Sequence, residues 1–184
     1  MLSNLWFRPR QLHKTYTTAV STGTLLYHMP PGIYSVTTIG GGGGGGGVDT
    51  FYSGSYPGGA GNQSYPITTK ITLTSWPDVV IGAGGLPGSN SIGSTIPPTA
   101  GSVGSSTFLP TPGGGQLVPV VAGGSGGPVG VPYGTVYSPY PNLVAAPIGP
   151  NGQGGIGAFV NAVGSTVNNA TAGNAGKAIF ELIG

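Results

Sequence analysis

Three glycine-containing patterns in this chain have the form of catalytic or nucleotide-binding motifs, and each lacks the context its chemistry needs. Gly152, Gly154 and Gly157 satisfy GxGxxG, the turn that lets a dinucleotide pyrophosphate approach a helix N-terminus. No acidic residue lies within roughly 20 positions downstream to hold a ribose, and about two such matches are expected by chance in so glycine-rich a chain. Residues 123–127 (GGSGG) satisfy GxSxG, but a nucleophile serine needs a strand-to-helix elbow and a histidine further along. Here Pro128 follows, and both histidines, His13 and His28, lie upstream. Gly176-Lys177 lacks the earlier glycine and the following Ser or Thr of a phosphate loop. Asp49, Asp78, Glu181 and the two histidines are too scattered to make a metal cluster, and His28 reads as a strand residue. The sequons at Asn62 and Asn169 are read as incidental. The expectation is a protein that is not an enzyme, with no cofactor and no metal.

The elements that must position whatever remains are unusual. Gly (39) and Pro (18) supply close to a third of the 184 residues. Such a fraction without a strict period commonly marks disorder. Disordered chains, however, combine low hydrophobicity with high charge; this one is 4% charged, with a mean hydropathy of +0.18. A fold that orders glycine must offset its large backbone entropy through main-chain hydrogen bonds and close approach. Cysteine is absent, so there is neither a disulfide nor a thiolate site. The net charge is +2, with Arg8, Arg10 and Lys14 near the start and Lys70 and Lys177 alone. That is too sparse for a surface that tracks nucleic-acid phosphates. No apolar run approaches the roughly 18 residues of a membrane span, so no membrane insertion is expected. The opening MLSNLWFRPRQLHK does not read as a secretory signal, and synthesis in a cytoplasm is the expectation.

Along the chain, residues 1–22 stand apart: they hold Trp6, Phe7 and most of the basic groups, and no glycine. Trp and Arg are enriched at interface hot spots. Trp6, Phe7, Arg8 and Arg10 are therefore attachment candidates, and residues 23–184 form the main domain. Residues 24–28 (TLLYH) and 33–39 (IYSVTTI) alternate and read as a hairpin about Pro30-Pro31-Gly32. The second strand runs into the octaglycine 40–47. Residues 68–74 (TTKITLT), 78–82 (DVVIG) and 177–183 (KAIFELI) read as strands, with short apolar pieces at 106–109 and 116–122. The one stretch with any helical character, 158–167, is weak.

Several glycines repeat every third residue: Gly124, Gly127 and Gly130 in one register, Gly149, Gly152 and Gly155 in another. Three residues per turn is the period of a polyproline-II-type helix, which has no internal hydrogen bonds. If buried, its N–H and C=O groups must pair with neighbours. Gly40, Gly43, Gly44 and Gly47 join these as structural glycines. Collagen is excluded, because its period must be continuous. The fold class expected is all-β, sandwich-like, with short strands, extended glycine-rich loops of polyglycine or polyproline-II type, and little or no helix.

Two loops carry the recognition chemistry. Phe51, Tyr52 and Tyr56 lie in residues 48–57, and Tyr133, Tyr137 and Tyr140 in residues 131–143. Tyrosine offers rigid amphipathic contact area, and Ser, Gly and Asn offer adaptable hydrogen bonding, as in antibody paratopes. The competing reading packs these rings between glycine segments as a substitute core.

The order of these pieces resembles the glycine-rich domains of bacteriophage tail-fibre and adhesin tip proteins. The matching stretches are 23–47 (GTLLYHMPPGIYSVTTIGGGGGGGG), 67–85 (ITTKITLTSWPDVVIGAGG), 104–115 (GSSTFLPTPGGG) and 173–184 (GNAGKAIFELIG). The chain departs in being richer in proline within its glycine blocks and in lacking glycine triplets over 89–111. The resemblance implies adhesion to a host bacterial surface, through a polysaccharide or an outer-membrane protein, by a virion protein assembled in the host cytoplasm. Its other partners would be fibre, baseplate or capsid proteins held through the N-terminus, with homo-oligomerisation left open. The alternative is a purely structural virion component, a capsid decoration or tail connector. An ice-binding protein is a third reading, disfavoured by the aromatic loops.

Overall fold

A computed structural model of the chain describes residues 13–17, 30–48, 58–75, 77–91, 96–111, 113–130, 152–160 and 167–184. Among these residues there is no helix. The strands are β1 (His13–Tyr16), β2 (Gly32–Ile39), β3 (Ile67–Leu73), β4 (Phe159–Val160), β5 (Val167–Asn168) and β6 (Lys177–Leu182). Four of them make one antiparallel sheet in the order β1-β6-β2-β3, and β4 pairs with β5 apart from it. The protein is all-β.

Alternation sets the sheet's faces. Tyr34, Val36 and Thr38 of β2 are buried while their neighbours are half-buried. The register places Val36 beside Phe180 and Thr38 beside Ala178, so one face of the sheet is continuous. Tyr16 and Tyr34 both meet the Phe180 ring edge-on, at centroid distances of 5.6 and 6.4 Å. Val79, Leu109 and Val118 close the same core from segments tied by isolated bridges: Val80 to Phe108, Thr107 to Val121 and Pro110 to Gln116.

Three expectations change. The first strand of the expected hairpin, 24–28, lies outside the described residues, and the two partners of β2 are β3 and β6. The reason is continuity: residues 58–64 lead into β3 and residues 171–176 into β6, and both already flank the octaglycine that β2 enters. The strand expected over 78–82 is shortened to the Val80 bridge, and the Gly82 N–H turns instead to the Thr107 hydroxyl at 2.9 Å. The stretch 158–167 is not helical at its described ends, where Phe159 and Val160 pair with Asn168 and Val167.

Beyond the sheet, residues 40–48 are buried without exception. Their backbone groups turn to a new neighbour at each step and return to the first every third residue. The N–H groups of Gly41, Gly44 and Gly47 donate to the carbonyls of Ser105, Ser102 and Thr99. Those of Gly42 and Gly45 donate to Asn174 and Thr171, and those of Gly43 and Gly46 to Asn62 and Gly59. These partners descend in number, so the three segments run antiparallel to the axial one.

The carbonyls behave likewise toward three parallel segments. Those of Gly41, Gly44 and Gly47 accept from Gly124, Gly127 and Gly130, each at 2.8 Å. Those of Gly42, Gly45 and Val48 accept from Gly85, Gly88 and Ser91, and those of Gly43 and Gly46 from Gly155 and Ala158. The six segments also bond to one another in a closed ring, in the order 82–91, 99–105, 122–130, 58–64, 152–158, 171–176 and back to 82–91. Parallel and antiparallel neighbours alternate around it. A segment without side chains inside such a ring can have both its polar groups satisfied at every residue.

Candidate functional site

The ring shows where each glycine register goes. Gly124, Gly127 and Gly130 are buried against the axial segment, while Ser125 and Pro128 between them are exposed. Gly40, Gly43, Gly44 and Gly47 lie on the axis, Gly152 and Gly155 on the ring, and Gly149 lies outside the described residues. Gly152 has φ +73°, which favours glycine, and its N–H donates to the Ala175 carbonyl. The GGSGG pentad at 123–127 is an extended ring segment, not a strand-to-helix turn. Gly154 and Gly157 of the GxGxxG pattern are stacked on the backbones of Gly61 and Gly58.

Side chains close the bundle at both ends. At the sheet end, the Ser64 hydroxyl accepts from the Gly40 N–H at 2.9 Å and donates to the Ala122 carbonyl at 2.8 Å. At the far end, Asn90 Oδ1 accepts from the Val48 N–H at 3.0 Å, and its Nδ2 donates to Asn169 Oδ1 at 2.8 Å. The Asn62 amide reaches the Ser125 hydroxyl at 2.6 Å. These caps escape a sequence reading because their partners lie tens of residues away. Only the Asn or Ser beside a glycine block hints at them.

Several described segments end or begin at that far end. Gly47 and Val48 meet Gly130 and Ser91 there, and Gly58 meets Ala158, just before β4. Val48 and Gly58 flank residues 49–57, and Gly130 precedes residues 131–151. The aromatic candidates Phe51, Tyr52, Tyr56, Tyr133, Tyr137 and Tyr140 lie outside the described residues. So do the attachment candidates Trp6, Phe7, Arg8 and Arg10. Among the described residues, the start of β1 lies on the side of the sheet away from the bundle. His13 pairs with Glu181, near the end of β6 that points away from the bundle.

Comparison with models of protein families and with curated proteins finds no match for this chain.

Proposed function

We propose that this chain is the receptor-binding tip of a bacteriophage tail or tail fibre, and that its glycine segments form a polyglycine-type bundle presenting aromatic loops to a host bacterial surface. The sheet and the bridged segments over its core are read as the two layers of a small sandwich from which the bundle projects. The observation that carries the reading is polarity. The described residues flanking 49–57 and preceding 131–143 sit together at one end of the bundle, and the start of β1 sits beyond the other. A rigid spacer with its anchor at one end and tyrosine-rich loops at the other suits a tip that must reach a receptor. The low charge, 4% of residues, favours recognition through rings, amides and hydroxyls over phosphate-driven binding.

The test is adsorption to host cells measured beside a melting curve. Converting Tyr52 and Tyr56 to Ala, or Tyr137 and Tyr140 to Ala, reduces adsorption while the melting temperature stays put. An aromatic hot spot commonly contributes about 2 kcal/mol or more. Full adsorption by both double variants would leave the structural connector as the better account.

A further inference from the structure

β3 forms an outer edge of the described sheet. Among the described residues it is the last strand and pairs only with β2. Ile33 exchanges its backbone bonds with the C-terminal side, its N–H donating to Gly184 and its carbonyl accepting from Ile183. Groups on an antiparallel strand alternate between its two sides. Tyr34, Val36 and Thr38 therefore face β3, where the register sets Ile71, Thr69 and Ile67 opposite them. The backbone groups of Thr68, Lys70 and Thr72 then point away from the sheet. All three residues are exposed. Among the described residues no second strand pairs with β3 on this side. Tyr65, 71% exposed, stands just before the strand and offers an aromatic anchor beside it.

We propose that this edge is a docking site for an extended segment of another virion protein, which adds to the sheet as an antiparallel strand and sets a carboxylate opposite Lys70. Strand addition of this kind takes its affinity from main-chain bonds and its selectivity from alternate side chains. The partner is not a second copy of this chain. A two-fold pairing that uses the whole free edge centres on Lys70 and brings two lysines face to face, and like charges directly opposite destabilise a pair. One central lysine thus guards the edge against self-association and leaves it open to an acidic strand. The proposal rests on the reading of the chain as a mounted tip and names a second contact with its support.

The probe is the capped peptide Val-Thr-Val-Glu-Val-Thr-Val, with a twin carrying Lys at its centre, titrated against the full chain. The Glu peptide slows amide exchange at Thr68, Lys70 and Thr72 and binds about fivefold more tightly than its twin. Lys70→Glu reverses that preference. Lys70→Pro removes one outward donor without touching the β2 ladder, so it melts as the parent does and loses the peptide. Three results overturn the proposal: no protection by either peptide, a preference unchanged in K70E, or a concentration-dependent dimer that protects the same amides. Host adsorption is a separate measurement, so failure here leaves the aromatic-loop reading standing or falling alone.

Discussion

A single methyl group is too large for the axis of the bundle. A Cβ on Gly43 would collide with the Ser125 carbonyl oxygen, and one on Gly44 with that of Leu86. The colliding atoms are backbone, themselves bound into the ring, so they cannot swing aside as a side chain would. Gly43→Ala and Gly44→Ala are each expected to cost about 3 kcal/mol or more, the upper range for overpacking, and Val at either site more still. Gly113 is the control: a Cβ there meets nothing within 4 Å. Gly113→Ala should change stability by no more than about 0.5 kcal/mol. Thermal melting of the three alanine variants decides it, and equal melting temperatures would mean the axial segment is not closely packed. Tyr34 makes a different demand. Its hydroxyl donates to the Pro30 carbonyl at 2.7 Å, and burial raises its pKa above the usual 10.0. The unfolded chain loses this proton first as pH rises, so between the two values the folded state binds more protons. By linkage, stability then falls with pH. The contribution is present in full below about pH 10 and is lost as pH climbs through the folded value. Urea midpoints measured from neutral to alkaline pH should fall more steeply for the parent than for Tyr34→Phe, which has no proton to lose there.

The sheet repeats every two residues and the bundle every three, and these periods decide which elements could be read from the sequence. The Thr/Ile alternation of β3 and the apolar alternation of β6 announce strands in one pass. The three-residue spacing of Gly124, Gly127 and Gly130 likewise announces a segment that buries one residue in three. The pairing of β2 was not legible. Proximity in sequence favours its hairpin with 24–28, but the glycine segments leading into β3 and β6 deliver those strands to its edges. Segment 99–105 was equally hidden, since Gly101 and Gly104 are its only glycines and its carbonyls at Thr99, Ser102 and Ser105 matter more. The aromatic half of the candidate site was named from composition alone. The caps Asn90 and Ser64 have only the weak signal of a polar residue beside a glycine block, because the groups they satisfy belong to other segments. β1 lies within residues 1–22, and its Tyr16 packs on Phe180 in the core. On the proposed reading of the chain as a mounted tip, deleting residues 1–10 should leave the melting temperature unchanged while abolishing incorporation into the particle. Deleting 1–20 should also cost about 3 kcal/mol, as loss of a buried aromatic does. Normal incorporation of the shorter deletion would refute the attachment role of Trp6, Phe7, Arg8 and Arg10.

The whole molecule is tied together by bonds between residues far apart in the chain, and this has a consequence for how it opens. Gly42 bonds to Asn174 and to Gly85, Gly44 to Ser102 and to Gly127, and Gly46 to Gly59 and to Ala158. No axial bond is local, so no part of 41–47 can keep its partners while the rest of the ring departs. Each ring segment in turn bonds to two others as well as to the axis, so removing one unsatisfies groups on three. Partial opening then exposes many unpaired polar groups with little chain entropy gained, since the remaining segments are still held. The expectation is that the amides of residues 41–47 exchange only by global unfolding and share one free energy, equal to that of denaturant unfolding. Non-local pairing also makes folding slow, because loop closure comes before any bond repays it. Native-state hydrogen exchange in rising urea tests the first point. If all seven amides follow one line with the global slope, the bundle is a single cooperative unit. If Gly46 and Gly47 exchange with a shallower slope than Gly41 and Gly42, the far end opens by itself. The loops would then be mounted on a hinged tip, and the rigid-spacer account of receptor presentation would have to be given up.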